Sequence, residues 1–288
     1  MFTGSIVALV TPFNDGEVDF DKLGELVEYH IDNGTNAIIP CGTTGESPTL
    51  SHREHGEVIG KVIKAANGRI PVIAGTGSNN TSEAVSMTRY AKEAGADGSL
   101  LITPYYNKPT QQGIYEHYKA ILEEVDIPII IYNVPSRTGV SISAETVARL
   151  AEFDNIVAIK EATGDIDQTS QILNMCNITV LSGDDSLTLP IMSVGGKGVV
   201  SVLANILPRE VLELTSSILN GEIENAQRLH KSLFPLCKAM FIETNPIPVK
   251  TAMKLLGRLN GEMKLPLCGM SEEHERQLKK ILEEHELI

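Results

Sequence analysis

The chain has 288 residues, of which 42% are hydrophobic and 21% charged, a composition typical of a soluble globular protein. Its formal net charge of −13 argues against nucleic-acid binding, because a protein that grips a phosphate backbone needs a surplus of Lys and Arg. There is no polybasic run, and no apolar stretch reaches the roughly 18 residues of a membrane-spanning helix, so no membrane association is predicted.

The four cysteines, Cys41, Cys176, Cys237 and Cys268, form no C-x-x-C pair and no disulfide-like cluster. Such spacing is typical of free thiols in a reducing compartment. The amino-terminal stretch MFTGSIVALVTPF has neither the basic start nor the long apolar region of a signal peptide. These features predict a cytoplasmic protein.

Short runs of apolar and β-branched residues alternate with helical segments along most of the chain, which predicts βαβ units and a parallel sheet. Eight such runs, the strand count of a (β/α)8 or TIM barrel, are found at residues 6–10, 37–39, 72–74, 99–102, 127–131, 156–160, 179–181 and 199–202. An open doubly wound sheet is the alternative. It usually has fewer strands, and no G-x-G-x-x-G motif follows the first run.

Local signals mark the beginnings of two helices between these runs. Ser51 with Glu54 three residues later forms a capping box, and Asn80 with Glu83 is a second capping signature.

The pattern changes after Asn220, where helical stretches follow without any strand pattern, at residues 223–241, 248–259 and 271–284. The predicted fold class is therefore α/β, a TIM barrel with a C-terminal helical appendage. The predicted division is a catalytic barrel at 1–221 and a helical region at 222–288.

Polar side chains are concentrated in the segments that follow the predicted strands. In a TIM barrel these segments converge on one mouth, where the chemistry takes place. Hydroxyls, phenols, one arginine and one lysine are found in the segments 41–46 (CGTTGE), 103–107 (TPYYN), 132–139 (YNVPSRTG), 160–165 (KEATGD) and 182–185 (SGDD).

Lys160 ends the sixth run, and strand alternation places it on one face with Ile156 and Ala158. If that face points into the barrel, the apolar surroundings disfavour the charged ammonium, and a neutral amine is the form that attacks a ketone. The alternative is a structural lysine at a strand end, paired with a carboxylate.

Several residues near Lys160 suit the same chemistry. The phenol of Tyr132 can relay protons, with a threonine hydroxyl as the next link, and Thr43 and Thr44 lie on a glycine-flanked loop whose amides can bind a carboxylate. Arg137 follows on the rim and can grip a carboxylate with two hydrogen bonds. The alternatives are a buried core tyrosine, an ordinary turn and a surface ion pair.

The sequence offers no metal-binding pattern. None of the seven histidines follows a predicted strand, and neither H-x-H nor H-E-x-x-H occurs. This disfavours a metal-dependent aldolase, and neither a metal nor a cofactor is predicted.

Three of the strand-end segments, 42–46 (GTTGE), 132–139 (YNVPSRTG) and 159–165 (IKEATGD), resemble the 4-hydroxy-tetrahydrodipicolinate synthase family, also called dihydrodipicolinate synthases. This family belongs to the pyruvate-dependent class I aldolases, which include N-acetylneuraminate lyase. The resemblance covers essentially the whole chain, including 245–250 (NPIPVK) in the helical tail.

The resemblance implies a Schiff base between Lys160 and pyruvate, whose enamine attacks L-aspartate 4-semialdehyde in the committed step of lysine biosynthesis. Tyr132 matches the acid/base phenol and Thr43 its relay partner, while Tyr106 matches a second relay residue that reaches into a neighbouring subunit's site. Thr44 matches a contact to the pyruvate carboxylate. The remaining matches are Arg137, which grips the carboxylate of the aldehyde substrate, and the pyruvate-pocket wall positions Gly183 and Val200.

The same resemblance bears on assembly and on substrate choice. Members of the family are most often homotetramers built as dimers of dimers. Relatives that cleave sugar acids, such as N-acetylneuraminate or 2-keto-3-deoxygluconate, share the lysine and the tyrosine, but Arg137 and Thr44 fit the synthases better. A non-catalytic protein that keeps the barrel is a third possibility, against which the complete catalytic set argues.

Some members are inhibited by L-lysine, which binds at a dimer interface. The matching positions in this chain are Ser47, Pro48, His52, His55, Asn79, Glu83 and Tyr105. Pro48 departs from the alanine expected there. The alternative is a solvated helix face with two incidental histidines.

Overall fold

The computed structural model describes residues 2–288 and contains eight parallel strands, each followed by a helix. The strands are β1 (Gly4–Ala8), β2 (Ala37–Ile39), β3 (Ile73–Gly75), β4 (Gly98–Ile102), β5 (Ile129–Asn133), β6 (Ile156–Glu161), β7 (Thr179–Ser182) and β8 (Gly198–Ser201). The helices are α1 (Phe20–Asp32), α2 (His52–Ala66), α3 (Thr81–Ala94), α4 (Gln111–Glu124), α5 (Ala144–Leu150), α6 (Ile166–Met175), α7 (Thr188–Ser193) and α8 (Pro208–Leu219). Within residues 2–288 no helix has the length and apolar character needed to cross a membrane.

The sheet closes into a barrel. Its strands pair in the order β2-β1-β8-β7-β6-β5-β4-β3, all in parallel. The two ends of that order meet at a parallel bridge between Ile38 and Val72, where the Ile38 amide donates to the Pro71 carbonyl at 2.9 Å. The predicted TIM barrel is therefore confirmed.

Apolar side chains fill the barrel and also separate its strands from the surrounding helices. The interior cluster consists of Ile6, Ala8, Ala37, Ile39, Ile73, Leu100, Ile130, Tyr132, Val134, Ala158, Leu181 and Val200. Because both faces of a parallel sheet are covered, its strands are apolar along their length, as the sequence IIIYN of β5 illustrates.

Three further helices follow the barrel: α9 (Ile223–Ala239), α10 (Ile247–Leu255) and α11 (Glu272–Glu284). Their buried side chains, such as Leu233, Met253 and Leu278, belong to the same hydrophobic cluster as Val7 of β1 and Val27 of α1. The helical tail thus packs directly on the outer layer of the barrel.

The capping predictions had different outcomes. At α2 the box is complete, since Ser51 accepts from the Glu54 amide at 3.2 Å and the Ser51 amide donates to the Glu54 carboxylate at 2.8 Å. At α3 the Asn80 side chain caps the helix alone. Glu83 turns away and accepts from the Ser78 hydroxyl at 2.8 Å.

Two details of the strands differ from the predictions. The sequence predicts the fifth strand at 127–131, but β5 spans Ile129–Asn133. It begins after Pro128, which lacks an amide hydrogen for the ladder, and it extends further to include Tyr132 and Asn133. In β6 the register shifts between Ile156 and Ala158, which oppose Ile129 and Ile130. Ile156 therefore packs in the outer layer, and the prediction that it shares a face with Ala158 and Lys160 is wrong.

Candidate active site

Lys160 and Tyr132 lie side by side at the carboxyl ends of β6 and β5. They are register partners, and the Lys160 ammonium is 4.0 Å from the centre of the Tyr132 ring. Each is only 6% exposed. Within residues 2–288 Lys160 has no carboxylate partner, so the alternative of a lysine held in a structural ion pair does not describe this side chain.

Gly183, just after β7, leaves room for the Lys160 side chain. A Cβ at this position would lie 3.1 Å from the Cε of Lys160 and 2.6 Å from the Cβ of Ala162. Any larger residue would therefore press on the lysine. This close approach explains why the SGDD segment has a glycine at position 183.

The opposite face of β6 carries Glu161, which is buried behind the site. Its carboxylate accepts from the Thr163 amide at 2.7 Å and from the Asn133 side chain at 3.2 Å. Burial raises the pKa of the Glu161 carboxyl, and these hydrogen bonds oppose the rise. The network fixes the end of the strand from which Lys160 projects.

The loop after β2 carries Thr43 and Thr44. It turns sharply, with the Gly45 amide donating to Gly42 at 3.1 Å and the Glu46 amide donating to Thr43 at 3.1 Å. Glu46 has a left-handed backbone with φ of +58°, a strained conformation for a residue with a side chain. Both threonines face the same cavity as Lys160.

A buried ion pair holds this loop in place. The Lys250 ammonium of α10 is 2.6 Å from Glu46 and donates to the Thr11 carbonyl at 2.9 Å. The side chains of Lys250 and Glu46 are 1% and 0% exposed. Burial lowers the pKa of Lys250, and Glu46 opposes that effect. No local pattern in the sequence indicates this pair, whose partners are 204 positions apart.

The cavity that contains these groups has a volume of about 600 Å³. Arg137, on the short helix Pro135–Thr138, lies on its wall and donates to the Asn245 carbonyl at 3.2 Å. One side of the mouth is built by residues 241–245, between α9 and α10, which the pattern of strand-end segments does not predict. Within residues 2–288 no group of three His, Cys, Asp or Glu side chains is arranged for a metal ion.

Two of the predicted site residues lie elsewhere. Val200 belongs to the barrel interior, and Val202, just after β8, lines the cavity instead. Tyr106 does not line its own chain's cavity. Its side chain is 88% exposed, and its φ of +71° is left-handed. The structure thus brings Lys160 together with Tyr132 and Thr43 but leaves Tyr106 pointing outward.

A second cavity, of about 340 Å³, contains six of the seven residues matched to the lysine site: Ser47, Pro48, His52, His55, Glu83 and Tyr105. The seventh, Asn79, does not line it but donates to the Tyr105 carbonyl at 3.1 Å. Three side chains, those of Thr43, Tyr132 and Arg137, line both cavities. The small cavity therefore adjoins the one that holds Lys160.

His55 is partly buried in the wall of the small cavity. Its Nε2 is 2.7 Å from the Gly75 carbonyl, and burial lowers its pKa. The ring is therefore neutral near pH 7 and donates to that carbonyl.

The family model for the dihydrodipicolinate synthetase family matches residues 1–285. This chain belongs to that family. Among its relatives, the 4-hydroxy-tetrahydrodipicolinate synthase of Geobacter sulfurreducens is 59% identical over 290 aligned positions and covers 100% of both chains. A TIM barrel of this family therefore carries the cavity around Lys160.

Solved structures of dihydrodipicolinate synthases resemble this chain closely. That of Aquifex aeolicus has a TM-score of 0.98 at 57% identity and covers 99% of each chain. That of Acinetobacter baumannii, complexed with pyruvate and described as chloride inhibited, has a TM-score of 0.98 at 47% identity with 100% coverage of both. That of Cyanidioschyzon merolae, with lysine bound, has a TM-score of 0.97 at 42% identity and covers 100% of this chain and 99% of that one.

Proposed function

We propose that this protein is a 4-hydroxy-tetrahydrodipicolinate synthase, a lyase-type class I aldolase that condenses pyruvate with L-aspartate 4-semialdehyde in lysine and diaminopimelate biosynthesis. The observation that carries the proposal is the buried Lys160 amine, unpaired by any carboxylate within residues 2–288 and stacked on Tyr132 in a cavity of a family member.

In this proposal the Lys160 amine attacks the ketone of pyruvate, water leaves, and the imine loses a proton to give an enamine. Tyr132 moves the protons, with Thr43 from the same chain and Tyr106 from a neighbouring one as relay groups. The enamine carbon then attacks the aldehyde, and cyclisation follows. Thr44 contacts the pyruvate carboxylate within a pocket that Gly183 helps to form, and Arg137 binds the carboxylate of the aldehyde.

The assignment of substrate rests on Arg137 and on the relatives. A guanidinium on the cavity wall suits a short substrate that bears a carboxylate. The closely similar full-length proteins are named as synthases and not as sugar-acid lyases, so the lyase alternative is not favoured.

The test is a trapping experiment. The protein is incubated with pyruvate, reduced with borohydride, and digested for mass spectrometry. We expect one adduct, on Lys160, and none in Lys160→Met. An adduct at another lysine would defeat the mechanism. A coupled assay that compares aspartate semialdehyde with sugar acids decides the substrate.

We propose further that L-lysine inhibits the enzyme by binding in the small cavity. Glu83 would pair with a ligand ammonium, and the lysine-bound relative supports the assignment. Saturating lysine is expected to lower the rate of the wild type and to leave Glu83→Gln much less affected. An unchanged wild-type rate would contradict this assignment without touching that of Lys160.

We also propose a homotetramer, a dimer of dimers, in the cytoplasm. The outward-pointing, left-handed Tyr106 supports exchange of this side chain between subunits, and the four free cysteines suit a reducing compartment. Sedimentation at several concentrations checks the assembly. Mixing inactive Tyr106→Phe with inactive Lys160→Met should restore part of the activity, because mixed dimers contain one intact site.

A further inference from the structure

Asn245 connects the two groups that the proposed function assigns to the two substrates. Its side-chain amide donates to the Thr44 hydroxyl oxygen at 2.9 Å, and its backbone carbonyl accepts from Arg137 at 3.2 Å. Asn245 is 5% exposed and lies on the cavity wall. One residue of the helical tail thus contacts both strand-end loops.

The contact with Thr44 has a direction. A hydroxyl can donate one hydrogen bond and accept two, whereas an amide N–H can only donate. Because Thr44 accepts from Asn245, the Thr44 hydrogen is left for another acceptor. In the cavity, that acceptor would be a carboxylate oxygen of the substrate.

The position of Asn245 is fixed from behind. Helix α10 begins two residues later and carries Lys250, whose buried pair with Glu46 ties the helix to the loop of Thr44. The Lys250–Glu46 pair is thus a second contact, independent of the Asn245–Thr44 hydrogen bond, that holds the segment of Asn245 against the loop of Thr44.

We propose that Asn245 is a positioning residue that orients the Thr44 hydroxyl as a donor to the pyruvate carboxylate. This inference rests on the proposed function. It adds that the affinity for pyruvate depends on the direction of the Asn245–Thr44 hydrogen bond, although pyruvate does not contact Asn245.

The test is a double-mutant cycle with Asn245→Asp, which keeps the size of the side chain and the backbone contact to Arg137. The aspartate can only accept, so Thr44 must turn its hydrogen toward it. We expect the KM for pyruvate to rise on the order of tenfold, a change of about 1.4 kcal/mol, and the KM for the aldehyde to change far less. In a Thr44→Val background the same change should raise the KM for pyruvate less, because only the repulsion between the two carboxylates then remains.

Two controls keep the result interpretable. Asn260→Asp removes an amide that donates to the Phe13 carbonyl at 2.8 Å, outside the cavity lining, and should leave both KM values unchanged. Asn245→Ala removes the donor without burying a carboxylate and replaces the aspartate variant if that variant does not fold. Equal rises in both KM values, or the same rise in the Thr44→Val background, would overturn the proposal. Borohydride trapping on Lys160 in the wild type reports separately on the proposed function.

Discussion

Gly183 illustrates how a single residue without a side chain can determine the geometry of the site. Its Cα approaches the Lys160 side chain so closely that even a methyl group would lie 3.1 Å from the Cε of the lysine and 2.6 Å from the Cβ of Ala162. Because catalysis depends on the direction from which the amine attacks, a small displacement of the Lys160 amine is expected to lower the reaction rate strongly.

We therefore predict that Gly183→Ala lowers kcat by at least about tenfold through displacement of the amine. Gly269→Ala is the matched control, because nothing lies within 4 Å of its added Cβ and its φ is ordinary. Steady-state rates together with the rate of borohydride trapping check the prediction. If Gly183→Ala is trapped as fast as the wild type, the added methyl group does not displace the Lys160 amine, and the prediction is wrong.

At the scale of elements, the helical tail is part of the active site and not an addition beside it. Residues 241–245 line the mouth, and α10 holds the loop of Thr43 and Thr44 through the Lys250–Glu46 pair. A pair this deeply buried is far more sensitive to the loss of one partner than an exposed pair, because the remaining charge is left without compensation. The division of the chain at 221 and 222 stays a prediction.

We predict that Lys250→Met lowers the free energy of unfolding by about 3–5 kcal/mol, because it leaves the Glu46 carboxylate buried and unpaired. Arg89→Met breaks the exposed pair with Glu124, whose atoms are 2.7 Å apart, and should cost about 0–1 kcal/mol. Denaturant titrations measure both. Adding Glu46→Gln to Lys250→Met should recover part of the loss, and equal effects of the two single variants would argue against the ion pair.

At the scale of the whole molecule, buried neutral histidines make the fold sensitive to acid. Burial lowers the pKa of His30 from its ordinary 6.5 to about 3 and that of His117 to about 4. Between pH 6.5 and 4 the unfolded chain therefore binds protons that the folded chain does not. The stability that these residues contribute is complete above pH 6.5 and is lost as the pH falls toward the folded values.

We predict that each of these histidines gives the free energy of unfolding a slope of about 1.4 kcal/mol per pH unit inside this window, with stability falling toward acid. His117→Gln, whose side-chain amide can still form a hydrogen bond with the Thr81 hydroxyl that lies 2.9 Å from Nδ1 in the wild type, should remove one such slope. Denaturant titrations from pH 7 to 4 provide the measurement. An unchanged slope in the variant would assign the acid sensitivity to other groups.

The sequence predicts the barrel and the chemistry of its mouth because both have local signals. The alternation of apolar runs with helical segments predicts the strands. The polar segments at the ends of three of these strands contain Thr43, Tyr132 and Lys160. The register shift at Ile156 leaves no trace in the sequence, and the partner of a buried group cannot be inferred across long separations. Asn245 and Thr44 are 201 positions apart, and only the folded chain shows that they touch. The asparagine lies in the NPIPVK segment, but nothing in that segment indicates its role.

The wall that the two cavities share also has a thermodynamic consequence. Thr43, Tyr132 and Arg137 each face both spaces, so an occupant of one changes the surroundings of the other. Coupling between binding sites is reciprocal: if a ligand in the small cavity weakens pyruvate binding by some factor, pyruvate weakens that ligand by the same factor. Under the proposed inhibition by lysine, a cell rich in pyruvate would contain an enzyme that responds less to lysine, so the lysine concentration needed for inhibition would rise with the supply of substrate.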